Sequence, residues 1–359
     1  MQPFRVALPV ADKRVVVVGG GPVAMPYVAG LRDAGARIDV IGAEVTDTLE
    51  DLAQRGHIRL LRRQFEAADL ADAWLVVAAT NDAGTDAQVR RLADEERIWC
   101  LEAKSTSAES VGEGGRGRVV LVGGGPGDPG LLTVAGMEAL RRADVVVVDR
   151  LAPVAALAEA PPQAEIIDVA KIPRGQYTPQ DVINKTLISQ AQQGKYVVRL
   201  KGGDNFVFGR GGEEWQACAE AGVAVDVIPG VTSSIAVPAM AGVPVTHRSL
   251  TQGFSVVSGH VPPDHPSCML DWSSLAQTNT TLVILMGLAN LAAIADKLVS
   301  SGLPATTPAA TIADGGLPTQ LVVRAELSSL ATAVDAAGLR APVVTVIGAV
   351  AGFDPEVRR

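Results

Sequence analysis

A chain of 359 residues exceeds one ordinary domain and suits roughly two or three. Its 48% hydrophobic and 4% aromatic content fits an α/β core rich in Ala, Val, Leu and Gly, and a net charge of −8 excludes a global basic field that would recruit nucleic acid or an anionic membrane. Three isolated cysteines (Cys100, Cys218 and Cys268) form no C-x-x-C pair, which argues against a disulfide framework or zinc site and suits a reducing cytoplasm.

The opening MQPFRVALPVADKR places Pro and Asp where a signal peptide needs its apolar stretch. Strand-like RVVVVGG follows, then a helix over PVAMPYVAGLRDAG ended by Gly35, the strand RIDVIG and the helix VTDTLEDLAQRG. IRLLRR, the strand AWLVVAAT, the helix DAQVRRLADEER and the strand IWCLEA complete a βαβ rhythm that predicts a parallel sheet covered by helices. Lys104–Arg118, KSTSAESVGEGGRGR, is Ser-, Gly- and charge-rich without apolar periodicity and reads as a linker.

The rhythm restarts with VVLVG, a helix over LLTVAGMEALRRA, DVVVVD, AEIIDVA, the helix QDVINKTLISQAQQG, YVVRLKGG, a helix near GGEEWQACAEAG, and VAVDVIPG. Beyond Gly230 come VTSSIAVPAMAGVPVTHR and the strands GFSVVSG, TLVILMG, AATIADG, QLVVRAEL and PVVTVIG. The most apolar stretch, TLVILMGLANLAAIA, is broken by Gly287 and Asn290 and is too short to span a bilayer. The expected organisation is a Rossmann-like parallel-sheet domain (1–104), a linker (105–117) and two α/β lobes (118–230 and 231–359), with ligands in crevices at strand ends.

Two glycine loops follow strands. VVVVGGGPVA (Val15–Ala24) has the strand, Gly19, Gly21, Ala24 and helix order of a dinucleotide loop. VVLVGGGPGDPGLLT (Val119–Thr133) also satisfies G-x-G-x-x-G through Gly125, Gly127 and Gly130. Yet Pro126 and Pro129 have no N–H to offer a phosphate, and Asp128 would repel one. That loop suits a neutral or cationic ligand, or it is a Gly/Pro turn without one.

With VVVVDRL, RLKGGDNFVFGRGGEE (Arg199–Glu214), PGVTSSIAVPAMAGVPVTHR (Pro229–Arg248) and TLVILMG in that order, the segment from about Arg118 to Val350 resembles the tetrapyrrole methylases, most closely those acting on uroporphyrinogen III. The resemblance implies S-adenosylmethionine (SAM) as cofactor, folded into a crevice between lobes. Matched position by position, it implies cofactor contacts at Pro126, Gly202, Gly203, Asp204, Val207, Thr232, Ser233, Met286 and Gly315. It also implies proton-transfer roles for Asp149 and Lys171, as acceptor and donor, with acid–base assistance adding ~10²–10⁴ to rate. Arg150, Arg174, Lys201, Arg210 and Arg248 lie in or beside matched loops and are candidate clamps for a carboxylate-rich tetrapyrrole; each reads equally as a surface charge. His247 and His260 lack metal-ligand spacing and read as structural hydrogen-bonding residues or substrate contacts.

The first domain resembles the precorrin-2 dehydrogenase part of sirohaem synthases, implying NAD contacts at Gly19, Gly21, Pro22, Val23, Ala43 and Glu44. Lys104 stands where that family has an acid, Glu102 differs from it in strand parity, Pro26 interrupts the first helix, and the family's helical dimerisation region is replaced by the linker. Two expectations stay open for this domain: a working NAD-dependent dehydrogenase, and a binding or regulatory relic. The methylase reading implies conversion of uroporphyrinogen III, methylated at C2 and C7, to precorrin-2 for sirohaem or cobalamin, without metal insertion. A cytoplasmic homodimer joined through the methylase half, with the first domain hanging on its linker, is expected.

Overall fold

The computed structural model describes residues 8–102, 117–169 and 178–353, except the side chain of Glu102. The expectations for Lys104, Lys171 and Arg174, and most of the linker, fall outside these residues.

Val15–Val18 are buried on both faces, which is what a central parallel strand requires. The first sheet consists of β1 (Arg14–Val18), β2 (Arg37–Ile41), β3 (Arg59–Leu61), β4 (Leu75–Ala78) and β5 (Trp99–Glu102). It is parallel throughout, in the order β3-β2-β1-β4-β5, so the strand order reverses beside β1. The connecting helices are α1 (Met25–Asp33), α2 (Asp47–Gln54) and α3 (Ala83–Glu95). Thr46 caps α2 by accepting from the Leu49 amide, and Asp82 caps α3 by accepting from the Thr85 amide. Pro26 does not break the first helix. A 3-10 turn over Pro22–Ala24 precedes α1, and Pro26 falls in the first helical turn, where no N–H is missed.

The second sheet, also parallel, runs β10-β6-β9-β7-β8. In chain order its elements are β6 (Arg118–Gly123), α4 (Val134–Leu140), β7 (Val145–Val148), β8 (Glu165–Asp168), α5 (Gln180–Gln192), β9 (Tyr196–Lys201), α6 (Gly211–Glu220) and β10 (Ala224–Ile228). The rest of the chain forms α7 (Ser233–Met240), β11 (Phe254–Ser258), α8 (Trp272–Gln277), β12 (Thr281–Leu285), α9 (Leu291–Ser300), β13 (Pro308–Ala313), β14 (Leu321–Glu326), α10 (Leu327–Ala336) and β15 (Val343–Ile347). Its sheet, β11-β12-β15-β13-β14, is mixed: β11 pairs parallel with β12, and every other pair is antiparallel.

The chain divides into two compact units. One holds both parallel sheets, through Gly230; the other holds the mixed sheet and the loop Gly125–Asp128. In the first unit the dinucleotide-type domain does not hang on its linker. Helix α1 packs on a 3-10 helix, Val154–Glu159, and Met25 and Val28 share one buried cluster with Val120, Leu140, Val148 and Leu157. Two polar contacts cross the same seam. Thr48 Oγ1 donates to Asp168 Oδ2 at 2.9 Å, and Arg150 Nη1 donates to Asp51 Oδ2 at 3.2 Å.

Candidate active site

In the first unit the strand ends of the second sheet gather the chemistry. Asp149 follows β7 directly, and its side chain is about one-quarter exposed, at 26%. Its carboxylate is oriented from two sides: Oδ1 accepts from the Leu151 amide at 3.1 Å and Oδ2 from Arg199 Nη2 at 3.3 Å. The Ala152 amide closes a turn on the Asp149 carbonyl. Arg199 and Lys201 alternate with Leu200 on β9, so both point to one face, and between them lies Glu214 of α6 with no exposed surface. Glu214 accepts from Arg199 Nε at 3.1 Å and from Lys201 Nζ at 2.8 Å. Burial alone would raise the Glu214 carboxyl, but the two cations outweigh it and hold it below its ordinary value. Burial, reinforced by the neighbouring Arg199, pushes the Lys201 ammonium down.

After β9 the chain turns through Gly202, Gly203 and Asp204. Gly203 has φ +66, a left-handed conformation that glycine adopts without strain. A Cβ at Gly202 would stand 2.4 Å from the Leu151 carbonyl, so this loop touches the Asp149 turn backbone to backbone. A Cβ at Gly230 would stand 2.3 Å from the Gly203 carbonyl, and one at Gly123 would stand 2.4 Å from the Gly230 amide nitrogen. Asp204 accepts from the Phe206 and Gly230 amides, tying the loop to the end of β10. Asn205, fully buried, donates to the Leu121 and Ile228 carbonyls, while Val207 sits half-buried beyond it.

The second unit carries the other implied cofactor contacts. Pro126 lies in Gly125–Asp128, where Gly125 and Gly127 have φ +79 and +132. A Cβ at Gly127 would stand 3.3 Å from Leu317, and one at Gly316 would meet Met240 and Asp128, so this loop lies against the 314–317 turn. Gly315 of that turn is pressed on α7, since a Cβ there would meet Val237 at 2.4 Å. Thr232 caps α7 through the Ser234 amide, and Ser233 is the first helical residue. Met286 follows β12 with φ +57 and is half exposed. The loop 125–128, the 314–317 turn and α7 therefore adjoin.

At the dinucleotide loop, Gly19 and Gly20 are fixed by packing: a Cβ would meet the Ala79 carbonyl at 2.1 Å and the Glu44 carbonyl at 2.3 Å. Gly21 differs, with open space around its Cβ position and an ordinary φ of −81. Ala43 and Glu44 are exposed after β2. Pro22 lines a cavity of about 390 Å³, with Val45, Thr46 and Asp47 on one side and Ile166, Ile167 and Asp168 of β8 on the other; Val23 is half-buried beside it.

The candidate clamps separate by burial. Lys201, 3% exposed and paired with Glu214, does not reach a ligand in solution, and Arg150, paired with Asp51, is 12% exposed at its side chain. Both leave the clamp set, because each spends its charge inside the protein. Arg210 is exposed and bonded to Glu213, and Arg248 is exposed at a polar cavity of about 550 Å³ with Thr251 and Thr280. Sequence reasoning missed Arg199, Glu214, Asn205 and Asp51. The signal for the first two was an apolar strand that nonetheless carries Arg and Lys on one parity.

Residues 118–331 match the family Tetrapyrrole (Corrin/Porphyrin) Methylases, and residues 6–111 match a family of NAD(P)-binding domains. Siroheme synthase 2 of Yersinia enterocolitica is 33% identical over 430 aligned positions, covering 92% of this chain and 90% of that protein. Siroheme synthase 1 of Serratia proteamaculans is 33% identical over 448 positions, covering 96% and 93%. Both alignments are longer than this chain's 359 residues, so those proteins carry residues with no counterpart here. The structure of uroporphyrin-III C-methyl transferase from Thermus thermophilus complexed with S-adenyl homocysteine is 38% identical, with a TM-score of 0.55, and covers 65% of this chain and 98% of that one.

Proposed function

The chain belongs to the tetrapyrrole (corrin/porphyrin) methylases, as a SAM-dependent methyltransferase with an NAD(P)-binding domain before it, and on that premise we propose that it methylates uroporphyrinogen III at C2 and C7 to give precorrin-2. The observation that carries this reading is Asp149. It is a partly exposed carboxylate at a strand end, aimed by the Leu151 amide and Arg199, on a turn that abuts Gly202.

The residues present fit SAM. A Cβ at Gly202 or Gly315 would collide with Leu151 or Val237, Gly203 takes a left-handed φ of +66, and Pro126 and Pro129 deny the loop the amides that a phosphate would require. Pro126, Gly202, Gly203, Asp204, Val207, Thr232, Ser233, Met286 and Gly315 would hold it. Bound there, SAM supplies the methyl group that becomes joined to carbon, leaving as the neutral thioether. Methylation leaves the attacked β-carbon quaternary and the ring cationic, so the balancing proton must leave from the ring nitrogen or an adjacent meso carbon. Asp149 is its acceptor in this reading, each oxygen retaining a lone pair beside its existing hydrogen bond. Of the described clamp candidates, the exposed Arg210, bonded to Glu213, and Arg248 would meet substrate carboxylates.

Calorimetric titration with S-adenosylhomocysteine, paired with anaerobic turnover of uroporphyrinogen III, tests the proposal. Asp149→Asn should abolish most turnover and leave thioether affinity within a few fold. Wild-type turnover in that variant, or a protein that ignores the thioether, would overturn it. Assembly as a cytoplasmic homodimer belongs to the same reading, with light scattering of the full chain as its check. A second activity, NAD-dependent oxidation of precorrin-2, is supported by the NAD(P)-binding match over residues 6–111, by the likeness to siroheme synthases and by the open space at Gly21.

A further inference from the structure

We propose that the NAD(P)-binding domain supplies a positioning residue for methyl transfer: Asp51, on α2, fixes Arg150 and through it the turn that carries Asp149. The inference rests on the reading that Asp149 acts at the substrate.

Arg150 Nη1 and Asp51 Oδ2 lie 3.2 Å apart with side chains only 12% and 13% exposed, and Arg55, the residue that ends α2, lies 3.8 Å from that carboxylate oxygen. A pair so withdrawn from water keeps more of its attraction than a surface pair; removing Asp51 takes this carboxylate from Arg150, whereas removing Arg150 leaves Asp51 with Arg55. Arg150 directly follows Asp149. The Asp149 carboxylate takes its orientation from the Leu151 amide, one residue further along, and the Ala152 amide closes the turn. The shape of this turn thus decides where the carboxylate points.

The turn is held at successive residues by different parts of the protein. Arg199 holds Asp149 from inside the methylase sheet, and Asp51 holds Arg150 from the other domain. Beyond them, Leu151 lies against the position a Gly202 side chain would occupy, and Pro153 stands in the same relation to Gly124. A turn packed this tightly has little room to shift without disturbing both the acid and the proposed cofactor loop. Helix α2 is itself locked to β8 by the bond from Thr48 to Asp168, which touches neither the turn nor Gly202.

That second bond separates positioning from mere adhesion. In the full-length chain, Asp51→Asn and Arg150→Gln should each lower kcat by about tenfold or more, since small misplacements of a reacting group cost up to ~10²-fold. KM for uroporphyrinogen III should stay within about twofold, and the double variant should be no worse than the poorer single one, as for partners acting as a unit. Thr48→Val loosens the same seam and should retain wild-type kcat. If Asp51→Asn fails to fold, Arg150→Lys gives an independent readout, with kcat partly restored relative to Arg150→Gln. Equal losses in Thr48→Val and Asp51→Asn would reduce the contact to adhesion and overturn the proposal. Wild-type kcat in Asp51→Asn, with Asp149→Asn inactive, would overturn it and leave the methylase site standing. Wild-type turnover in Asp149→Asn would overturn both.

Discussion

Glu214 is a buried anion between two buried cations, and its removal separates structural from chemical effects. Glu214→Gln leaves Arg199 and Lys201 short of a countercharge, and breaking a buried pair of this kind costs about 3–5 kcal/mol. Chemical denaturation should register that loss. Because the folded-state Glu214 carboxyl is depressed, its stabilisation is complete above the unfolded value of about 4.3 and is lost as pH falls through the folded one. The wild type should therefore lose stability in acid below about pH 4 more steeply than Glu214→Gln, and parallel pH profiles would contradict this. Gly202→Ala probes the neighbouring loop. Its Cβ must displace the Leu151 carbonyl, and overpacking of about 1–3 kcal/mol predicts roughly tenfold weaker S-adenosylhomocysteine binding, measured by calorimetry. At this scale the sequence exposed residue types better than partners. A lysine and an arginine in matched loops read as carboxylate clamps, yet Lys201 and Arg150 are paired internally with residues 13 and 99 positions away, a relation no local pattern encodes.

The elements that sequence exposed were those with one dominant environment. Strands β1, β6, β7 and β12 are largely apolar runs buried on both faces, so composition alone marks them. Helices α7 to α10 were not assigned, because their Ala-, Ser- and Val-rich stretches blur into the surrounding apolar texture. Within α7, Pro238 also argues against a helix, although the Ala241 and Val243 amides close on its carbonyl. The docking of α1 on Val154–Glu159 was illegible for another reason: each face is only modestly apolar, and the fit emerges once both sheets are folded. This contact predicts the behaviour of a methylase fragment spanning residues 117–359. Cutting away the first domain uncovers Leu157, Val154 and Ile166, which pack into the shared cluster, at about 25 cal/mol per Å² exposed. The fragment should melt below the full chain and scatter light at lower temperature. An unchanged midpoint would show that the seam contributes nothing to stability.

Across the whole molecule, the first unit joins a glycine loop of dinucleotide type to a methylase sheet through one buried cluster. The question is whether the loop still holds a dinucleotide, and Gly21 offers a clean test. Unlike Gly19 and Gly20, it has no neighbour within 4 Å of its Cβ position and an ordinary φ of −81, so Gly21→Val should fold as the wild type does. A branched side chain there would project into the space that a pyrophosphate needs. NAD affinity, read by calorimetry, should therefore fall sharply while S-adenosylhomocysteine affinity and methylation persist. Given uroporphyrinogen III, SAM and NAD without oxygen, the wild type should accumulate precorrin-2, because a lysine at position 104 is cationic near neutral pH and cannot take up the proton that an acid in its place would accept. The visible spectrum followed over time discriminates. NAD-dependent formation of sirohydrochlorin that disappears in Gly21→Val would establish a working dehydrogenase and overturn this expectation.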